Sequence, residues 1–205
     1  RSRASSDPAP KSFTRFAGWK ENPPVWQNPF TVVNAAIWYY ADVAVLHTQG
    51  VMEGFSATRC APGSDVSRGM LALTIWRMEG APEPENTAHF DDLTQAWYQK
   101  AVCWAAENGI VLGYDDRRFG PEDPLAREQL VTMLHRYAVF RGDDSVIQAA
   151  PAFSDSCSIS SWAADAVQYC TQNKIILGKP GNRFDPRGGS TRAELAAVLH
   201  RFLAD

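Results

Sequence analysis

The chain has 205 residues, 45% hydrophobic and 21% charged, with a formal net charge of −3 when histidine is neutral. That much apolar material allows a packed core and argues against wholesale disorder. The faintly acidic balance gives no general attraction to nucleic acid or anionic lipid, and without a run of 18 apolar residues no membrane span is expected. The chain begins at Arg1, not Met, and reads as a mature protein or an excised piece, so the missing leader says nothing about export.

Residues 1–27 hold Pro, Ser and Arg with no clean period and are expected to be loosely held, although Phe13, Phe16, Trp19 and Trp26 could dock locally. From residue 28 the chain repeats itself. With Trp38, Trp97 and Trp162 in one column, the offsets are 59 and 65 residues. At those fixed offsets six further columns are identical: Val43/Val102/Val167, Gly54/Gly113/Gly178, Pro62/Pro121/Pro186, Arg68/Arg127/Arg192, Leu71/Leu130/Leu195 and Arg77/Arg136/Arg201. With common residues at roughly 7% each, fewer than about one triple match is expected by chance in such a window, so the pattern means duplication. The copies are assigned to 28–84, 85–147 and 148–205.

Each copy reads as helix, loop, helix. In the second, Trp97, Ala101, Trp104, Ala105 and Asn108 recur at helical spacing. Asn108-Gly109 then stops the helix, with Ile110 closing the end. Tyr114–Pro124, rich in Asp, Gly and Pro, reads as loop. A second helix starts near Arg127 with Leu130, Met133, Leu134 and Tyr137 on one face. In the third copy Thr191-Arg-Ala-Glu194 is a capping box. The first keeps Ser67 as a cap but has Met70 three residues on, and the second has Ala126 and Gln129; both helix starts are expected to fray more easily. Gly80–Asn86 and Gly142–Pro151 read as linkers. The fold class is therefore all-α, and the copies are expected to fold as one unit, because one short helical pair has too little core.

Chemistry-bearing motifs are sparse. Cys60, Cys103, Cys157 and Cys170 do not pair as Cys-x-x-Cys, which disfavours zinc; buried thiols are the simplest reading, with Cys157–Cys170 the one bridge to check. His135 and His200 share a column with Trp76, and His47 and His89 are isolated, so no metal ligand set is assembled. Asp115-Asp116 lacks the alternating oxygens of a calcium loop. No nucleophile–base pair or phosphate loop is present, so no catalytic residue, cofactor or metal is assigned.

The copies resemble the S-layer homology repeat. The second begins Phe90-Asp-Asp92 and the third Phe153-Ser-Asp155; a Trp-led helix, a Gly-Ile turn, a Phe-x-Pro loop and the Thr-Arg-Ala-Glu start follow. The first copy departs most: Val32 stands at the opening Asp, Cys60 at the loop Phe, and Gly69-Met70 at Ala-Glu. The third has Lys174 at the turn Gly. The resemblance implies three repeats about a pseudo-threefold axis, one helix of each entering a central bundle. It also implies a non-catalytic, extracellular wall anchor whose inter-repeat grooves bind a cell-wall polysaccharide, often one with a pyruvate ketal. The Arg of Thr-Arg-Ala-Glu is then a recurring ligand contact.

Arg127 and Arg192, with Arg68 beside them, suit such a ligand, because a guanidinium presents a fork of donors to a carboxylate at a positive helix end. The alternative is a structural role. Trp38, Trp97 and Trp162 could stack on sugar or form core. Asp92 and Asp155 could cap the first helix or bind glycan hydroxyls, and Glu194 is most simply the capping partner. Arg77, Arg136 and Arg201 sit late in their helices and read as structural. The competing readings are a protein–protein scaffold that has lost glycan binding and the anchoring part of a larger surface enzyme.

Overall fold

The computed structural model describes residues 20, 22–86, 90–148 and 152–204. Six helices carry it: α1 Tyr40–Thr48, α2 Arg68–Met78, α3 Ala96–Glu107, α4 Arg127–Phe140, α5 Ala164–Gln172 and α6 Arg192–Ala204. Two short 3-10 turns, Ser156–Ser158 and Ser161–Ala163, precede α5. Among the described residues there is no strand, so the fold is all-α as expected.

The helices pair between copies. α3 packs on α2, α5 on α4, and α1 on α6, so the first helix of each copy leans on the second helix of the copy before it. The pair α1–α6 closes the ring. The second helices meet through side chains: Tyr137 on α4 lies against Phe202 on α6 with ring centres 5.8 Å apart, and its hydroxyl donates to Glu79, just past α2, at 2.5 Å. The expected stripe of α4 is buried, with Leu130, Met133, Leu134 and Tyr137 all 3% exposed or less.

At the axis the segments before α2, α4 and α6 touch through three antiparallel bridges, Ser67 with Pro124, Ala126 with Gly189, and Asp65 with Thr191. The first amides of each second helix donate to loop carbonyls of the next copy. Arg68 and Gly69 reach Asp123 and Pro121, Arg127 and Glu128 reach Gly188 and Pro186, and Arg192 and Ala193 reach Ser64 and Pro62. These amides are the ones a helix leaves without internal partners.

This changes the expectation about fraying. The box at Thr191 forms, Glu194 Oε2 accepting from the Thr191 amide at 2.8 Å and Thr191 Oγ from the Glu194 amide at 3.3 Å. Ser67 caps Met70, and Gln129 reaches only the Ala126 amide. The neighbouring loop nevertheless satisfies the first two amides of all three helices, so a weak local cap does not leave them open.

The turn after each first helix uses a left-handed residue: Gly50, Gly109 and Lys174 have φ of 75°, 69° and 55°. The next residues then close the turn, Ile110 and Ile175 donating to Ala105 and Cys170 at 2.8 Å. Lys174 is exposed and bears a Cβ in a conformation that disfavours one. Lys174→Gly is expected to stabilise the chain by about 1 kcal/mol, read as a rise in the denaturant midpoint; a fall would show that its side chain contributes more than its backbone strain.

The opening phenylalanines dock on the repeated glycines. A Cβ on Gly54 or Gly113 would fall 2.5 Å from the ring of Phe30 or Phe90, so no larger residue fits there. None of the four cysteines is bridged to another, so Cys157 and Cys170 do not form a disulfide; Cys60, Cys103 and Cys170 are buried and Cys157 is exposed. Of the N-terminal segment, Phe13, Phe16 and Trp19 lie outside the described residues. Trp26 does dock, edge-on to Tyr40 and donating from its indole to His47 Nδ1 at 3.1 Å.

Candidate functional site

The arginines of the Arg68/Arg127/Arg192 column are staples between copies. Each is buried, 6%, 4% and 9% exposed. Arg68 donates to the carbonyls of Phe119 and Leu112, both at 2.9 Å. Arg127 reaches Phe184 at 2.8 Å and Leu177 at 3.2 Å, and Arg192 reaches Cys60 at 3.0 Å and Glu53 at 2.6 Å. Arg68 is also sandwiched, its guanidinium 4.5 Å from the ring centres of both Tyr114 and Phe119, and Arg127 lies 5.5 Å from that of Phe184. Where Cys60 replaces the ring, Arg192 lacks this support. Burial pushes all three guanidinium pKa values down from the ordinary value, yet arginine stays charged. Two nitrogens of each arginine are thus already engaged by backbone.

The opening aspartates clamp loops. Asp92 accepts from the amides of Phe119 and Gly120 at 3.1 and 2.7 Å, and Asp155 from those of Phe184 and Asp185, both at 2.8 Å. Desolvation works against the Asp155 carboxylate, but the amides and Arg183 outweigh it and hold its pKa below the ordinary value. Neither carboxylate caps the following helix. Val32, half exposed, cannot make this clamp in the first copy. Glu194 is occupied by its capping box.

The three tryptophans face outward. Trp38, Trp97 and Trp162 are 64%, 43% and 53% exposed, while the neighbouring Tyr98 is fully buried. Two of them edge grooves that draw on all three copies. One groove, of about 410 Å³, lies between Arg68, the Leu112–Tyr114 turn, Met133 and Arg136 of α4, and Trp162. The other, of about 430 Å³, lies between Arg192, the Glu53–Phe55 turn, Arg77 of α2, and Trp97. Both volumes suit a small ligand such as one sugar unit. Arg77 and Arg136, read from sequence as structural, line these grooves. Their column was visible, but nothing in helical spacing says that a late-helix arginine turns toward a neighbour's tryptophan.

Sequence also missed Glu128. It is 6% exposed and accepts from the Ser160 amide at 3.0 Å and its hydroxyl at 3.1 Å, tying α4 to the start of the third copy's first helix. The shared histidine column does not converge: His135 lies tilted against Tyr169 with ring centres 4.7 Å apart and His200 pairs with Asp42 at 2.7 Å. Among the described residues no group of three His, Cys, Asp or Glu is placed to hold a metal ion.

Fold and grooves together define a helical repeat module with inter-copy clefts, each combining an exposed indole with a guanidinium. The second and third copies belong to the S-layer homology domain family, whose model matches residues 89–131 and 152–196; the first copy lies outside both segments. Domains of this family anchor proteins to the cell surface and carry no catalysis of their own. The chain is 31% identical over 85% of its length to an endoglucanase of Bacillus sp. (strain KSM-635), covering 19% of that protein. It is 30% identical over 81% to an amylopullulanase of Thermoanaerobacterium thermosulfurigenes, covering 9%, and 28% identical over 79% to the surface-layer 125 kDa protein of Lysinibacillus sphaericus, covering 14%. The chain thus spans less than a fifth of each of these relatives.

Proposed function

We propose that this chain is a non-catalytic anchor that holds the protein carrying it on the bacterial cell wall, outside the cell, by binding a wall polysaccharide in the grooves between copies. The observation that carries this reading is the repeated pairing of an exposed tryptophan with a guanidinium in a groove of sugar size. An indole offers an apolar face to a pyranose ring, and a guanidinium binds a carboxylate such as that of a pyruvate ketal. The division into copies 28–84, 85–147 and 148–205 accords with the threefold contact pattern. The matched stretch is shared with an endoglucanase and a surface-layer protein, of which it forms only a small part, and this supports an anchoring role.

The ligand contacts are reassigned within this reading. Arg136 and Trp162, and Trp97 in the second groove, face the sugar. Arg68, Arg127, Arg192, Asp92, Asp155 and Glu194 build the grooves. The column arginines spend donors on backbone carbonyls, and Arg136 supplies its groove with a different cation.

Purified wall sacculi provide the test. The chain is expected to bind sacculi that keep their wall polysaccharide and not sacculi stripped of it. Arg136→Ala should weaken binding by about ten- to a hundred-fold, the range for a hydrogen bond to a charged group, and Trp162→Ala should also weaken it, both with unchanged melting. Equal binding to stripped sacculi would overturn the proposal.

A further inference from the structure

The two grooves share one plan but differ in one charge. Glu53, Leu112 and Leu177 occupy one repeat column, just before the repeated glycine, and Arg77, Arg136 and Arg201 occupy another. In the first groove the turn residue is Leu112, and Arg136 is half-buried with no carboxylate bonded to it among the described residues. In the second groove the turn residue is Glu53, whose Oε2 lies 2.7 Å from Arg77 Nη2.

The remaining cations do not separate the grooves. Arg68 borders the first and Arg192 the second, and each has already committed two nitrogens to backbone carbonyls. Trp162 and Trp97 are equivalent residues in the two walls. Glu53 is therefore the feature that sets the charge of one groove against the other. An exposed ion pair of this kind contributes little to stability. For a ligand it matters more, because the Arg77 fork is partly occupied and an entering anion approaches a carboxylate as well as a guanidinium.

We infer that Glu53 is a specificity-determining residue: by pairing with Arg77 it confines the anionic group of the glycan to the Arg136 groove and leaves the Trp97 groove to an uncharged sugar unit. A wall polymer with alternating charged and neutral residues would then be gripped in one register. The inference rests on the glycan-binding reading above.

The test follows the indole N–H signals of Trp162 and Trp97, one reporter per groove, by nuclear magnetic resonance on the full chain. The probes are a methyl hexoside bearing a 4,6-pyruvate ketal and the methyl ester of that ketal, which removes the charge. In the parent, the acid is expected to shift the Trp162 signal at about tenfold lower concentration than the Trp97 signal, the lower end of what a charge-assisted hydrogen bond gives. The ester should remove that preference. Glu53→Leu, which installs the residue of the other two copies and leaves the backbone carbonyl for Arg192, should bring the Trp97 response to the acid level with that of Trp162. Adding Arg77→Gln should abolish the gain. Equal responses to the acid in the parent, or a Trp97 response unchanged by Glu53→Leu, would overturn the inference while leaving glycan binding intact. Silence of both indoles toward both sugars would sink the groove-binding reading and this inference with it.

Discussion

Arg127→Ala is expected to lower the melting midpoint by about 10 °C, well before any effect on wall binding can be read. The guanidinium is 4% exposed and donates to the carbonyls of Phe184 and Leu177. Truncation leaves both carbonyls short of a donor and opens a gap beside Phe184. An unsatisfied buried group costs about 1–3 kcal/mol, so the pair costs about 2–6 kcal/mol, and each kcal/mol lowers the midpoint by about 2–4 °C in a chain of this size. Lys should rescue little, because one ammonium cannot copy a planar fork that spans two fixed carbonyls. Differential scanning calorimetry of Arg127→Ala beside Arg136→Ala separates the roles: the first should melt early, and the second should melt like the parent but bind sacculi weakly. An Arg127→Ala protein with the parent's midpoint and lost binding would restore this column as direct ligand contacts.

The second large effect concerns cooperativity. A fragment containing only residues 85–147 is expected to be largely unfolded, with circular dichroism near that of a coil. Its two helices, α3 and α4, do not form a pair with each other in the fold; α3 packs on α2 and α4 on α5. The fragment loses both partners, along with the Gly188 and Pro186 carbonyls that hold the start of α4. Isolated helices of 12 and 14 residues are marginal in water without tertiary contacts, since the first turn is costly to nucleate. A fragment that melted cooperatively at the parent's midpoint would mean that each copy has its own core, contrary to the observed pairing.

Much of the architecture was legible in the sequence. The helices expected at Trp97–Asn108 and from Arg127 appear at Ala96–Glu107 and Arg127–Phe140, because apolar spacing and a turn glycine are local signals. The Thr191–Glu194 box was legible for the same reason. The orientation of the tryptophans was not. Trp97 and Tyr98 are adjacent and both can head an apolar stripe. Tyr98 goes inward because its hydroxyl lies 3.2 Å from that of Thr94 and accepts from the Gln95 amide at 3.1 Å, which leaves Trp97 to the groove. The aspartates were placed near a helix start by proximity in sequence. Their partners are loop amides 27 to 30 residues away, beyond the reach of any local pattern.

The sequence by itself determined the helical class and the residue types that recur from copy to copy, because these follow from composition and short-range periodicity. It also determined that the first copy departs from the others at Val32 and Cys60. Only the tertiary structure decided which copy each residue serves. A repeat column records that an arginine is needed; it does not say that Arg68, Arg127 and Arg192 spend their donors on the carbonyls of the next copy while Arg136 is left for the groove. That assignment depends on helices pairing across copies and on a ring closed by α1 and α6, and such contacts join residues as much as 158 positions apart, as from His200 to Asp42. Hydrogen bonding and burial are properties of neighbours in space, and in a closed ring of repeats those neighbours belong to another copy.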